Sequence, residues 1–329
     1  MKYKILVSAP YMQAVIGGFQ KVFAENDIEL LIPPVNERLE EAELLKWLDD
    51  VDGVISGDDH FTEKVLRTAS KLKVISKWGT GIDSIDLETC GELGIAVRNT
   101  PNAFSEPVAD TVIGYILCFA RNLPWMDREM REGIWRKIPG RALRECTLGV
   151  IGVGDVGKTL VRRAKGFGMR LLGNDLVEMP TNFLAETSIE MVSKEELLRQ
   201  ADFVSLNCDL NPTSFHLMNY EAFSLMKPSA VVINTARGPV IDEQALIRAL
   251  QEKQIAGAAL DVFENEPLPA DSPLPQLDNV ILAPHNANSS PEAWEKVHQN
   301  TIKNLLEVLL ESSSESHRKD YVPRPLKGK

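Results

Sequence analysis

The eight residues Gly152-Val-Gly-Asp-Val-Gly-Lys-Thr159 fit two incompatible patterns at once. Read as G-x-G-x-x-G they make a dinucleotide turn; read as G-x-x-x-x-G-K-T they make a cradle for a nucleoside triphosphate. The flanks suit either, with the apolar run "LGVI" before and the helical stretch "KTLVRRAKGFG" after. The triphosphate reading needs Lys158 on a phosphate and a separate acid near magnesium, and Asp209 after "FVSLNC" is available for that. The dinucleotide reading needs an acid at the end of the next strand to hold a ribose hydroxyl. Asp175 in "LLGND" supplies it, eighteen residues past Gly157. Gly152 then makes the tight turn, Gly154 admits the pyrophosphate and Gly157 lets helix and strand close. Asp175 would repel a 2′-phosphate, so NAD is expected rather than NADP.

Outward from this loop, short apolar runs alternate with segments of helical period, the pattern of βα units and parallel sheets. A first series reads "KILVSA", "VDGVISG", "LKVISKW" and "IAVRN". A second reads "TLGVIGVG", "MRLLGND", "ADFVSLN", "SAVVINTA", "IAGAALDV" and "NVILAPH". Between them, "SEPVADTVIGYILCFARNL" (105–123) is long and apolar enough for a buried linking helix, and "PWMDREMREGIW" for a charged, more exposed one. A last helix is expected from Pro291 to about Glu311, then a polar tail over 312–329 expected to be disordered. The simplest architecture inserts one α/β domain into another, discontinuous one.

Composition narrows the partners. The chain has 329 residues, 44% hydrophobic and 25% charged, with a net charge of −11 and no basic stripe to follow a nucleic-acid backbone. No stretch approaches the roughly 20 apolar residues of a membrane helix, and "MKYKILVSAP" lacks a signal-peptide pattern. Cys90, Cys118, Cys146 and Cys208 have no CxxC spacing, so a reduced cytoplasmic protein without a zinc or other metal site is expected.

Three strand ends decide between the two loop readings. "INTARGPVIDE" places Arg237 beyond a strand, "AALDVFENEPL" places Asp261 and Glu266 there, and "VILAPHNANSS" places His285 there. Carboxyl ends of parallel strands line the ligand crevice, so these groups converge on the edge that carries the glycines. A cation, a carboxylate and an imidazole beside a nicotinamide make a hydride-transfer site and have no evident role around a triphosphate.

Taken together, "KWGTGIDSIDL" (77–87), "NTPNAFSEPVAD" (99–110), "GVGDVG" (152–157), "NTARG" (234–238), "DVFENEP" (261–267) and Pro284-His285 resemble the D-2-hydroxyacid dehydrogenase family. Within it the likeness is to the phosphoglycerate dehydrogenase-like branch, from near the start of the chain to about residue 310. The resemblance implies two Rossmann-like doubly wound parallel-sheet domains. An NAD domain over 100–287, with a dimerisation arm at about 105–145, is inserted in a flavodoxin-like substrate domain of 1–99 plus 288–311, and the protein is a homodimer. It implies reversible reduction of a 2-keto acid to an (R)-2-hydroxy acid. His285 acts as acid or base, Glu266 orients it, and Arg237 binds the substrate carboxylate. Cofactor contacts fall on Gly152, Gly154, Asp155, Val156, Gly157, Asp175, Cys208, Thr213, Thr235, Ala236, Arg237, Asp261 and His285. Substrate contacts fall on Lys77, Gly79, Thr80, Gly81, Arg237 and His285.

Several residues depart from the pattern. Asp155 stands where the family often has arginine, and it either points away or weakens cofactor binding. Lys77, where phosphoglycerate enzymes carry arginine, could meet a distal phosphate or carboxylate, or simply face solvent. The two acids of "SGDDHFT" (56–62) oppose a phosphorylated substrate. Cys208 is placed near the nicotinamide, and Asp209 has no assigned role. Glu266 argues against a formate dehydrogenase and Thr80 against a phosphite dehydrogenase. His60, His216, His298 and His317 have no matching partners and are expected at the surface. The rival from another class is an NADH-binding regulator like the C-terminal-binding-protein corepressors, with little turnover.

Overall fold

The computed structural model describes residues 3–311 and divides into two units, one running to Ala103 and resuming at Pro291, the other Phe104–Ser290. The boundaries fall a few residues beyond those expected at 99/100 and 287/288. The expected disorder of 312–329 lies outside the described residues.

The first unit holds five strands, β1 (Tyr3–Val7), β2 (Ile28–Leu31), β3 (Gly53–Ser56), β4 (Val74–Lys77) and β5 (Ala96–Arg98). They pair in parallel in the order β2-β1-β3-β4-β5, the flavodoxin-like order. The helix Pro291–Glu311 returns to this sheet: Ser76 Oγ donates to Thr301 O at 2.8 Å and Tyr3 Oη to Leu309 O at 2.9 Å. Gly53 permits that closure, because a Cβ there would stand 3.0 Å from Ile5, Val74 and Leu305 together.

The second unit holds seven, β6 (Thr147–Ile151), β7 (Arg170–Asn174), β8 (Glu190–Met191), β9 (Phe203–Leu206), β10 (Val231–Asn234), β11 (Gly257–Leu260) and β12 (Val280–Leu282). Their order, β12-β11-β10-β9-β6-β7-β8, is that of a dinucleotide-binding sheet extended by one strand. Strands β9, β10 and β11 are buried on both faces, as helical crossovers on each side of a parallel sheet require. One core joins Leu148, Val150 and Ile233 to Val112 and Ile116 of the helix Ser105–Arg121; another joins Leu172, Val204 and Val232 to Leu246 and Leu250. All ten expected strands are present. The expectation missed β2 and β8, the first because "IELL" sits beside a polar loop, the second because it is two residues long. The charged excursion is a helix only over Leu123–Arg131.

Candidate active site

Strand order reverses between β6 and β9, and there the glycines do unlike jobs. Gly152 has φ 86°, and a Cβ on it would stand 2.6 Å from Cys208 N. A Cβ on Gly157, in the helix Asp155–Gly166, would stand 2.2 Å from Gly152 O. Gly154 is different: nothing lies within 4 Å of the place its side chain would take. Two glycines close the turn, and the third leaves it open.

Asp175, just past β7, locks onto this turn. Its Oδ2 accepts the Val153 N–H at 2.6 Å and its Oδ1 the Val177 N–H at 2.9 Å, which leaves acceptor capacity for ribose hydroxyls. Asp155 is exposed as the first residue of the helix, where a carboxylate complements the helix dipole. Val156 follows it, half-buried, in the same first turn. The Thr159 hydroxyl donates back to Asp155 O at 2.9 Å, and the main-chain carbonyl of the exposed Asp209 accepts from Ser214 Oγ and Asn211 Nδ2.

The other expected cofactor residues are distributed unevenly. The Thr235 hydroxyl is buried with no partner among the described residues. Ala236 N donates to Asn234 Oδ1 at 3.0 Å, pinning the loop that leads to Arg237. Burial pushes the Cys208 thiol up to about 11, leaving it a neutral group against the glycine turn. Thr213 is exposed and bonds Asn211 through both N and Oγ1. A turn closed by glycines, open space at Gly154 and an unpartnered Thr235 hydroxyl fit a dinucleotide.

Beyond β11 and β12 the acid–base pair assembles. His285 Nδ1 lies 2.9 Å from Glu266 Oε2, and Glu266 Oε1 accepts the Phe263 N–H at 2.9 Å. Each carboxylate oxygen therefore has one task, one on the ring and one on its own loop. The main chain of His285 is left-handed (φ 49°), a conformation that costs free energy in a residue other than glycine. Asp261 holds it there. Its carbonyl accepts the His285 N–H at 2.7 Å, and its carboxylate accepts the Asn286 and Ala287 N–H groups at 2.9 Å each. Burial raises the Asp261 pKa, and those two N–H groups counter it. Asp261, expected at the cofactor, thus has both carboxylate oxygens on the His285 loop.

Arg237 follows β10. Asn234 Nδ2 donates to Arg237 O at 2.9 Å, and Arg237 Nη1 donates to Ala236 O at 2.9 Å. A Cβ on Gly238 would stand 1.9 Å from the Phe263 carbonyl, so the loops bearing Arg237 and Glu266 touch backbone to backbone.

In the first unit, Lys77 ends β4 and is only 4% exposed. Its Nζ lies 3.0 Å from Asp58 Oδ1 and donates to Trp78 O at 3.1 Å. The solvent-facing alternative for Lys77 is therefore corrected: a strand-end lysine stays buried because an acid of "SGDDHFT" meets its charge. The other acid, Asp59, is fully buried and accepts from Ser8 Oγ (2.5 Å), Leu39 N (2.7 Å) and Gly57 N (3.1 Å). Burial raises its pKa, opposed by these donors and by Lys77. In the next loop, Gly79 has φ 119°, its carbonyl accepts the Thr100 N–H, and the Thr80 and Gly81 N–H groups have no partner among the described residues.

Of the histidines expected at the surface, His298 is buried and the half-exposed His216 has a carboxylate partner. His298 is 5% exposed and its Nδ1 accepts the Trp78 Nε1–H at 2.9 Å; burial lowers its pKa. His216 pairs with Glu264, Nε2 to Oε1 at 2.9 Å. Both partners are far away in sequence, although the alternation Glu264-Asn-Glu266 in "DVFENEP" could have prompted a search for two imidazoles. His60 is half-exposed, 3.7 Å from Glu40. His317 lies outside the described residues.

Comparison with known proteins agrees with this geometry. Residues 113–287 match the model of the D-isomer specific 2-hydroxyacid dehydrogenase, NAD binding domain. The chain is 38% identical over 270 residues to a glyoxylate reductase of Korarchaeum cryptofilum, covering 80% of this chain and 81% of that protein. It is 39% identical over 310 residues to a D-3-phosphoglycerate dehydrogenase of Methanocaldococcus jannaschii, covering 93% of this chain but 57% of the relative. The crystal structure of an Aquifex aeolicus D-lactate dehydrogenase complexed with NAD and lactic acid superposes with a TM-score of 0.84 at 29% identity, covering 95% of this chain and 96% of that one.

Proposed function

The chain belongs to the D-2-hydroxyacid dehydrogenase family and is NAD-dependent, and from that premise we propose that it reduces a small 2-keto acid without a second anionic group. The hydrogen-bonded His285–Glu266 pair carries the acid–base half of this reading. Bound NADH supplies the hydride. The Gly152–Gly157 turn, Asp175 and Thr235 would hold it. Nδ1–H on Glu266 leaves the exchangeable proton on Nε2 of His285, from which it passes to the substrate oxygen; the ring is left as the neutral Nδ1–H form. Arg237 binds the substrate carboxylate and stabilises charge developing on the carbonyl oxygen. In the first unit, the Thr80 and Gly81 N–H groups are the proposed anion contacts.

The substrate class rests on Lys77. A phosphate or second carboxylate needs an unmatched cation, and Lys77 is already paired with Asp58. The test is NADH oxidation over small apolar, dicarboxylate and phosphorylated 2-keto acids, with His285→Ala as control. Turnover of small apolar acids is expected; turnover confined to acids with a second anion defeats the substrate assignment. NADH binding without turnover of any of them defeats the enzymatic reading in favour of a regulator.

A homodimer is proposed through the arm, now narrowed. Residues 105–121 are core helix, whereas Leu123, Met130, Ile134 and Trp135 are exposed, Trp135 at 83%. Sedimentation of Trp135→Asp should show monomers; a wild-type mass of one chain would reject the proposal.

A further inference from the structure

A second histidine–carboxylate pair uses the same loop, its Glu264 two residues before Glu266. His216 Nε2 is 2.9 Å from Glu264 Oε1, as His285 Nδ1 is 2.9 Å from Glu266 Oε2. Both histidines are left-handed, His216 with φ 48°. This second pair has no task in the reaction above, and its half-exposed ring stacks on Phe215.

Its bonds run to both catalytic loops. The His216 N–H donates to Pro239 O at 2.8 Å, two residues past Arg237, and two residues on Met218 N donates to Val240 O at 3.1 Å. The ring meanwhile grips Glu264. That carboxylate is itself held, for Glu264 Oε1 accepts the Glu243 N–H at 3.1 Å and Glu264 N donates to Glu243 Oε2 at 3.3 Å. From Glu264 the path is short. The preceding N–H, that of Phe263, fixes Glu266 Oε1, and the other oxygen of Glu266 holds His285. Gly238 against Phe263 closes the circuit, since the two loops there have no room for a side chain.

We propose that His216 is a positioning residue: its backbone and its ring staple the Arg237 loop to the Glu264–Glu266 loop and so hold the Glu266 carboxylate on His285. The proposal rests on the reading of His285–Glu266 as the working pair. Loss of the ring contact frees the 263–266 turn while leaving the glycine turn untouched. A displacement of about 1 Å in a catalytic group can cost up to 10²-fold in rate. The signature is therefore a fall in kcat with unchanged NADH affinity.

The test compares His216→Asn, which tolerates the left-handed backbone but falls short of Glu264, with His216→Gln, whose amide reaches as far as Nε2. The first readout needs no turnover: the low-field NMR resonance of the His285 Nδ1–H, assigned by its loss in His285→Ala. It should move upfield or broaden away in His216→Asn and return in His216→Gln. The second is kcat, expected to fall about 10- to 100-fold in His216→Asn and to recover in His216→Gln, with the NADH dissociation constant unchanged in both. An unmoved resonance in folded His216→Asn overturns the proposal. If that variant does not fold, Glu264→Ala, which leaves the His216 ring no acceptor, is read in its place, and an unmoved resonance there is equally decisive. A wild-type protein with no turnover would defeat the functional reading alone, because the resonance still reports on the staple.

Discussion

The two units share one plan, a parallel sheet whose strand order reverses once, and they treat the point of reversal in opposite ways. Strand ends splay at such a point and leave a crevice suited to a ligand. In the second unit the crevice beyond β6 and β9 is walled by Gly152 and Gly157 and left open at Gly154. In the first, between β1 and β3, the chain fills the crevice itself. The Asp59 carboxylate binds Ser8, just past β1, and Gly57, just past β3, while Leu39 closes its remaining side. The fold supplies a crevice twice, and a few side chains decide which one receives a ligand.

The largest effect should come from breaking the open side. Gly152→Ala forces a Cβ to within 2.8 Å of three backbone atoms at φ 86°. NADH binding, followed by fluorescence titration, should weaken about 100- to 1,000-fold, or about 3–4 kcal/mol. Near-native affinity would mean that the glycines serve only packing. The filled side should respond differently. Asp59→Ala leaves the N–H groups of Leu39 and Gly57 buried without an acceptor. It should destabilise the protein by about 2–3 kcal/mol in urea unfolding while NADH affinity holds.

That contrast also explains what could be read from the residues in order. The second unit's crevice was legible because its signals are local. Glycines at fixed spacing, an acid one strand later and polar groups just beyond apolar runs each need only a short window of sequence. The His285–Glu266 pair was legible because both residues lie at strand ends that a parallel sheet brings to one edge. The first unit's crevice was not. Asp59 finds its partners at Ser8 and Leu39, and nothing in "SGDDHFT" says that one acid plugs the sheet while the other faces Lys77. His216–Glu264 and Trp78–His298 escaped for the same reason, being fixed by packing between distant segments.

A smaller change would make the first unit's edge available to a ligand. Asp58 is partly exposed and Lys77 buried, so Asp58→Asn removes the matching charge without opening a cavity. Turnover of a dianionic 2-keto acid relative to a monoanionic one should rise about tenfold, or about 1.4 kcal/mol, in competition assays. A ratio that does not move would detach Lys77 from specificity and return it to structure alone.

The smallest effect has opposite signs in the two units. Burial raises the Asp59 pKa, with Ser8, Leu39, Lys77 and Gly57 opposing. Between the ordinary carboxylate value of about 3.9 and that raised value, the folded state holds the proton that the unfolded state has released, so stability falls as pH rises through this window. Asp202 in the second unit is the reverse. Burial pushes its pKa up, but Arg141, the Thr147 N–H and Lys227 together pull it below normal, with contacts of 3.0, 2.8 and 3.1 Å. Its contribution is complete above the ordinary carboxylate value and is lost as pH falls through the lowered one. On acidification from pH 7, the stability penalty of Asp202→Asn should therefore shrink and that of Asp59→Ala should grow. Urea unfolding at several pH values down to about 3 measures both slopes. Parallel slopes would mean that the two carboxylates share one environment, and the distinction between a plug buried among neutral donors and an acid clamped by cations would fail.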